Sequence, residues 1–216
     1  MKTARMTVLS AVLLAAPAPM LMVGCQSGPA LGEGERASQG LINAAGLIRG
    51  GEEQVTATLA AMDRLREMSG SLPELFDDFT SNMDALEKTA SDIKSKNDNM
   101  RREAERYLAK WDADLQAMAN EDIRKQAAKR RENVVDALDK IAERYDSMSA
   151  SYGKLIGDLR DIRTALEADL TSDGVKALSS AMKKASKQGS DLLNVASKAA
   201  DAFEALGVKM ASSGGS

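Results

Sequence analysis

Apolar residues return along this chain at alternating steps of four and three. The clearest run is Val134, Leu138, Ile141, Tyr145, Met148, Tyr152, Leu155, Leu159, Ile162 and Leu166. Upstream, Leu72, Phe76, Phe79, Met83, Leu86, Ala90, Ile93, Asn97, Met100, Ala104, Tyr107, Trp111, Asp114 and Met118 keep the same spacing, with only Asn97 and Asp114 polar. Downstream the series repeats with smaller residues, from Val175, Leu178, Met182 and Ala185 through Gly189, Leu192, Ala196 and Ala199 to Phe203 and Leu206. A sustained repeat of 3.5 residues keeps an apolar seam on one side of a helix and winds neighbouring helices around each other. An earlier, weaker helix is marked by Leu41, Ala45, Ile48, Val55, Leu59, Met62 and Leu65. Gly50 and Gly51 are expected to kink it or delay its start, because each costs about 1 kcal/mol relative to alanine in a helix. No stretch alternates with the period of two that a strand requires.

The breaks between these runs have their own chemistry. Gly70 is placed to close the first helix, and Ser71-Leu72-Pro73-Glu74 reads as a capping box with proline in the first turn of the second. Asn120 followed by Glu121 and Asp122 reads as a cap with acids in the first turn, which predicts a reversal near residues 119–121. Without that reversal the second and third helices would form one long rod. Thr171-Ser172-Asp173-Gly174 supplies the last turn. The pattern predicts an all-α fold, an elongated antiparallel coiled-coil bundle of three to four long helices over residues 37–206. Helices of about 50, 72, 75 and 51 Å follow from a rise of 1.5 Å per residue. The inner pair is the longer, so its central hairpin is expected to protrude by roughly 20 Å beyond the outer pair. Gln26 to Arg36, rich in Gly, Ser and Pro, predicts a flexible tether over residues 25–36, and residues 207–216 read as a disordered tail.

Ahead of the tether, Lys2 and Arg5 precede an uncharged run from Met6 to Gly24. This is the basic-then-apolar order of an export signal over residues 1–24. Pro17 and Pro19 leave a continuous helix only to about Ala16, too short to cross a bilayer. Leu21-Met22-Val23-Gly24-Cys25 resembles the lipobox of bacterial lipoproteins, with Met22 where that pattern prefers leucine. The resemblance implies lipid modification of Cys25, the chain's single cysteine, and the alternative is an ordinary free thiol. With Gln26 after the cysteine, the resemblance further implies the outer membrane, facing the periplasm, in a Gram-negative envelope. More than one acyl chain makes such anchoring stable.

Composition narrows the function classes. The chain of 216 residues contains no histidine, which removes the histidine general base, the serine-histidine triad and the usual imidazole metal sites. No phosphate-cradling glycine loop, activated serine context or convergent carboxylate pair stands out, so no catalytic, metal or cofactor residues are assigned and a non-enzymatic role is expected. Removing residues 1–24, which hold Lys2 and Arg5 and no acid, takes the net charge from −3 to −5. That balance gives no general attraction for nucleic acid.

The candidate interacting end is the hairpin tip. Arg124, Lys125, Lys129, Arg130 and Arg131 crowd one short stretch close to Trp111, Leu115, Met118 and Ile123. Trp111, Leu115, Met118, Ile123, Lys129 and Arg130 form the candidate interaction surface, with anionic headgroups or a protein as partner, and a merely solvated face as the alternative. Asp114 and Arg124 both fall on the seam near the turn, where a cross-hairpin pair would fix register, unless both are simply solvated. Asn97 is placed to do the same in the body. Gly153 and Gly157 form a small-xxx-small step expected to pack closely against the second or fourth helix. A membrane held through the anchor and an envelope protein or a second copy are the expected partners.

The stretch from Tyr107 to Arg131, YLAKWDADLQAMANEDIRKQAAKRR, carries a further likeness, together with the helix after it and the segment after residue 171. Its tryptophan with an acidic-leucine stretch, its asparagine turn and its basic run resemble the bacterial envelope proteins grouped as the domain of unknown function 2959. The resemblance implies the architecture and supplies no active site. The lipobox carries a direct prediction: a globomycin-type block of lipoprotein processing should accumulate precursor in cells, and normal maturation under the block would remove the lipidation of Cys25.

Overall fold

The computed structural model describes residues 29–212, which form four helices: α1 Pro29–Glu67, α2 Leu72–Ala117, α3 Glu121–Ala168 and α4 Ser172–Ser212. At 1.5 Å per residue their 39, 46, 48 and 41 residues give rods of about 58, 69, 72 and 62 Å. The expected export signal and Cys25 lie outside the described residues.

Each seam is the buried stripe of its helix. In α3 every seam residue from Ile141 to Leu166 is buried, and in α2 the buried residues are Phe79, Met83, Leu86, Ile93, Asn97, Met100 and Ala104. The four stripes merge into one core, with Phe79, Met83, Met148, Leu155 and Phe203 among its fully buried side chains. Cross-helix contacts run in opposing order. Thr58 Oγ1 donates to the Asn82 carbonyl at 3.1 Å while Gly34 lies beside the Tyr107 ring, so α1 and α2 are antiparallel. Ser186 Oγ donates to Asp63 at 3.3 Å and Ser38 Oγ to the Gly207 carbonyl at 2.7 Å, so α4 runs antiparallel to α1. Glu87 with Arg160 at 2.8 Å and Asp84 with Arg163 at 2.9 Å do the same for α2 and α3. The Arg160 guanidinium holds the Glu87 carboxyl below its ordinary range.

Spacing between helices follows side-chain size. α1 lies closest to α4 and α2, and of the four neighbouring pairs α2–α3 touches least. The α1–α4 boundary is built from Ala37, Leu41, Ala44 and Ala45 against Ala196, Ala199, Ala200 and Gly207, all buried. A Cβ on Gly207 would lie 2.7 Å from Ile42 and 3.0 Å from the Ser38 carbonyl oxygen, and one on Gly189 would lie 2.4 Å from Leu59. Gly51 takes the same role toward α3. The glycine pair neither delays nor interrupts α1, which runs through it. A Cβ there would sit 2.4 Å from the Tyr152 hydroxyl. That hydroxyl is buried without a hydrogen-bond partner, and burial, then the nearby Glu52 charge, push its ionisation upward.

The turns depart from expectation in detail. α1 ends on Met68, not Gly70: Met68 takes φ 52°, its N–H reaches the Leu65 carbonyl, and the Ser69 N–H reaches that of Arg64. This pairing closes a helix through one left-handed residue, a position usually given to glycine. Ser71 precedes α2 but makes no side-chain cap bond, with Pro73 removing one of the N–H groups such a cap serves. Thr171 caps α4 by accepting from Gly174 N–H at 3.1 Å, and Gly174 is required because a Cβ would lie 2.2 Å from the Asp169 carbonyl oxygen. Residues 29–36 of the expected tether belong to α1, and α4 continues to Ser212 through much of the expected tail. Both extensions shorten the overhang of α2 and α3 to about seven residues, or about 10 Å, against the roughly 20 Å expected.

Gly153 and Gly157 do not make the expected close packing: a Cβ at either meets nothing within 4 Å. Two substitutions should therefore move stability in opposite directions in urea unfolding. Gly207→Ala is expected to cost about 1–3 kcal/mol through its clash with the α1 backbone. Gly153→Ala should gain about 0.5–1 kcal/mol from helix propensity alone.

Candidate functional site at the hairpin end

The reversal between α2 and α3 is formed at residues 118–120, so the continuous rod is excluded. Asn120 makes it. Its side-chain oxygen accepts from the N–H groups of Asp122 at 3.0 Å and Ile123 at 3.1 Å, satisfying two of the donors a helix start leaves open. Glu121 and Asp122 add negative charge where the helix dipole favours it.

Between Ala104 in α2 and Ile141 in α3 no residue is buried. The seam continues, covered at its root by the ends of α1 and α4, which reach Tyr107 and Trp111, and beyond them shared by α2 and α3 alone. Tyr107, Trp111, Leu115 and Met118 are half-buried, as are Ala127, Val134 and Leu138 on the facing helix. Ile123 is 56% exposed, and Lys129 and Arg130 are exposed. The structure thus gathers Trp111, Leu115, Met118, Ile123, Lys129 and Arg130 on one end of the bundle.

The expected pairing of Asp114 with Arg124 is not the one formed. Asp114 is held by Lys110, one turn earlier on its own helix, and Arg124 is exposed. The ion pair across the hairpin is Arg131 with Asp112. Arg131 Nη2 donates to Asp112 Oδ2 at 2.8 Å, and Nε lies 2.8 Å from Oδ1, off the hydrogen-bond line. Lysine and aspartate four residues apart on a helix meet without any help from the opposite strand of the hairpin, so Asp114 is satisfied locally. The longer arginine at 131 then spans to the next acid. Lys125 pairs with Glu121 at 3.0 Å. Asn97, the polar seam residue of the body, is buried as expected of a register residue.

At the root of the hairpin lies a cavity that seam spacing alone did not reveal. Tyr107 and Trp111 of α2, their rings 5.4 Å apart and inclined at 57°, form one wall. Val134 and Ala137 of α3 and Leu206 and Met210 of α4 form the rest. Arg130, Asn133 and Lys209 stand at its rim, and its volume is about 100 Å³. Burial pushes the Tyr107 phenol up, against the opposing charge of Arg130. The site exists because α4 continues past Leu206, in the segment read as tail. The signal available was the sequence Val208-Lys209-Met210, which keeps an amphipathic step beyond the last seam residue. Val208, next to the rim, is 55% exposed. All four helices therefore have an end on this side of the bundle, since α1 also begins here, where Gly34 lies beside Tyr107.

Among the described residues no group of three or more acidic or cysteine side chains is arranged to hold a metal ion. No helix there is long and apolar enough to cross a membrane. A double-mutant cycle on Asp112 and Arg131 should give a coupling of about 0.5–1 kcal/mol, the size of a partly exposed pair. The same cycle on Asp114 and Arg124 should give none.

Comparison with curated proteins and with solved structures found no match. Residues 42–206 match the family described as Protein of unknown function (DUF2959). That span runs from the second turn of the buried α1 stripe to the last seam residue of α4 and includes the whole hairpin. The chain belongs to the DUF2959 family.

Proposed function

We propose that this protein is a non-enzymatic spacer or adaptor of the bacterial cell envelope, held at the outer membrane through a lipid on Cys25. It works through the outer faces of its bundle and through its hairpin tip, which engage an envelope protein. The observation that carries this reading is the division of the molecule into a closed core and an open end. From Phe79 to Met100 the seam is buried but for the half-buried Ala90, and from Ile141 to Leu166 it is buried throughout, whereas the tip leaves Ile123, Trp111, Leu115 and Met118 partly in water. Apolar surface left beside exposed cations is a contact surface more readily than a core feature. The absence of histidine from the chain, together with the lack of a convergent acid pair, supports a role without catalysis.

A second reading, that the tip contacts a lipid surface, draws on where α1 begins. The chain enters α1 at the hairpin end, and the uncharged run Met6 to Gly24 and Cys25 stand immediately before it in sequence. From Cys25 to Pro29 the chain spans at most about 14 Å, so a membrane holding Cys25 faces the hairpin.

Photo-crosslinking in living cells from probes at Leu115 on the tip and Leu47 on the body tests the first reading. A discrete protein adduct from either site is expected and identifies the partner. Lipid adducts alone at Leu115, with none at Leu47, would reject the adaptor.

A further inference from the structure

We infer that the cavity at the hairpin root is an acyl-chain site, by which the protein takes up part of one anionic lipid of the membrane surface it faces. The inference rests on the second reading above, that the hairpin end lies against lipid, and adds to it a defined site.

The shape and chemistry of the cavity select this ligand. Its interior is aromatic and aliphatic, drawn from Tyr107, Trp111, Val134, Ala137, Leu206 and Met210. A cavity of about 150 Å³ admits benzene, so one of about 100 Å³ has room for a short run of methylenes. The charged lining residues are Arg130 of α3 and Lys209 of the neighbouring α4, both exposed, and each also engages another group of the protein. An apolar slot with cations at its mouth matches a molecule whose aliphatic chain ends in an anionic head. A tryptophan and a tyrosine at such a boundary behave as interfacial anchors, with their rings in the apolar zone and their polar edges toward the head.

The surroundings agree. Of the three large apolar side chains most exposed in the described residues, Ile123 and Val208 are both at this end of the bundle, on α3 and α4. Arg124 and Lys129 add exposed positive charge alongside. Of the acids of the tip, Asp112 is held by Arg131, Asp114 by Lys110 and Glu121 by Lys125, and Asp122 lies in the first turn of α3, while Glu105, Glu132 and Asp136 are exposed. The charged residues that line the cavity itself, Arg130 and Lys209, are both cations, in a chain whose net charge is negative. Basic residues near an anionic leaflet are attracted individually and additively.

Trp111 is the only tryptophan, so its fluorescence reports this site alone. The full chain is mixed with vesicles of phosphatidylglycerol or phosphatidylcholine carrying brominated acyl chains, and its access to aqueous iodide is followed in parallel. The expected result is a loss of about half the Trp111 emission with brominated phosphatidylglycerol, little with brominated phosphatidylcholine, and shielding from iodide. Ala137→Leu, which fills the cavity, should abolish the bromine quenching while leaving helix content and iodide shielding unchanged. Arg130→Glu with Lys209→Glu should erase the preference for phosphatidylglycerol. Shielding from iodide without quenching by bromine would overturn the acyl site and keep the lipid-facing end. Neither effect in the unaltered chain would overturn both, and equal quenching by the two lipids would overturn the anionic head.

Discussion

The fold depends on how closely the backbones of α1 and α4 approach each other. Gly189 and Gly207 leave no side chain to hold the helices apart, and the buried alanines Ala37, Ala44 and Ala45 of α1 and Ala196, Ala199 and Ala200 of α4 add only methyl groups. At that separation Ser38 reaches across to a main-chain carbonyl of α4, and Leu59 lies over Gly189. Short distances of this kind gain many weak dispersion contacts per turn and admit no water. α1 also lies close to α2, so it becomes the helix around which the others are arranged. The bulkier seam residues of α2 and α3 then face the same core from farther away, which is why that pair touches least of the four neighbouring pairs.

Much of this was legible in the heptads. Each residue from Ile141 to Leu166 on the α3 seam is buried, and the α4 series from Met182 to Leu206, including Gly189, is buried as its spacing predicts. Periodicity states which side of a helix is covered, and it does so residue by residue because a slip of one or two residues would turn the apolar stripe outward. It does not state how near the covering helix comes. Gly51 and Gly153 are both glycines in helices, yet one lies against a tyrosine hydroxyl and the other faces open space. Only the partner's position separates them. The helix ends were misread for a related reason. Residues 29–36 are rich in glycine and would not hold a helix alone, but Gly34 rests on Tyr107 and gains from tertiary contact what propensity withholds. At Met68 the left-handed turn was assigned to the nearby glycine, although the bonds to Leu65 and Arg64 fix it two residues earlier.

The candidate site divides in the same way. Trp111, Arg130 and the apolar tip residues were visible as composition, a cluster of cations beside an aromatic. Leu206 and Met210 complete the cavity from a helix nearly a hundred residues away in sequence, and nothing local joins them to Trp111. The cross-hairpin ion pair was misplaced because seam geometry weighs only which positions face each other. Asp114 also had Lys110 within reach on its own helix, and the shorter connection prevailed.

The absence of any buried residue between Ala104 and Ile141 gives the molecule unequal mechanics along its length. Local opening of a structure is easiest where few apolar groups are enclosed, so the hairpin opens and recloses at much lower free energy than the shaft beneath it. A sideways load on the end is taken up by bending and fraying of two helices, while the four-helix section keeps its shape. The protein is in this respect a stiff shaft with a compliant head. It can follow an uneven or moving surface without any strain reaching the core that maintains its length.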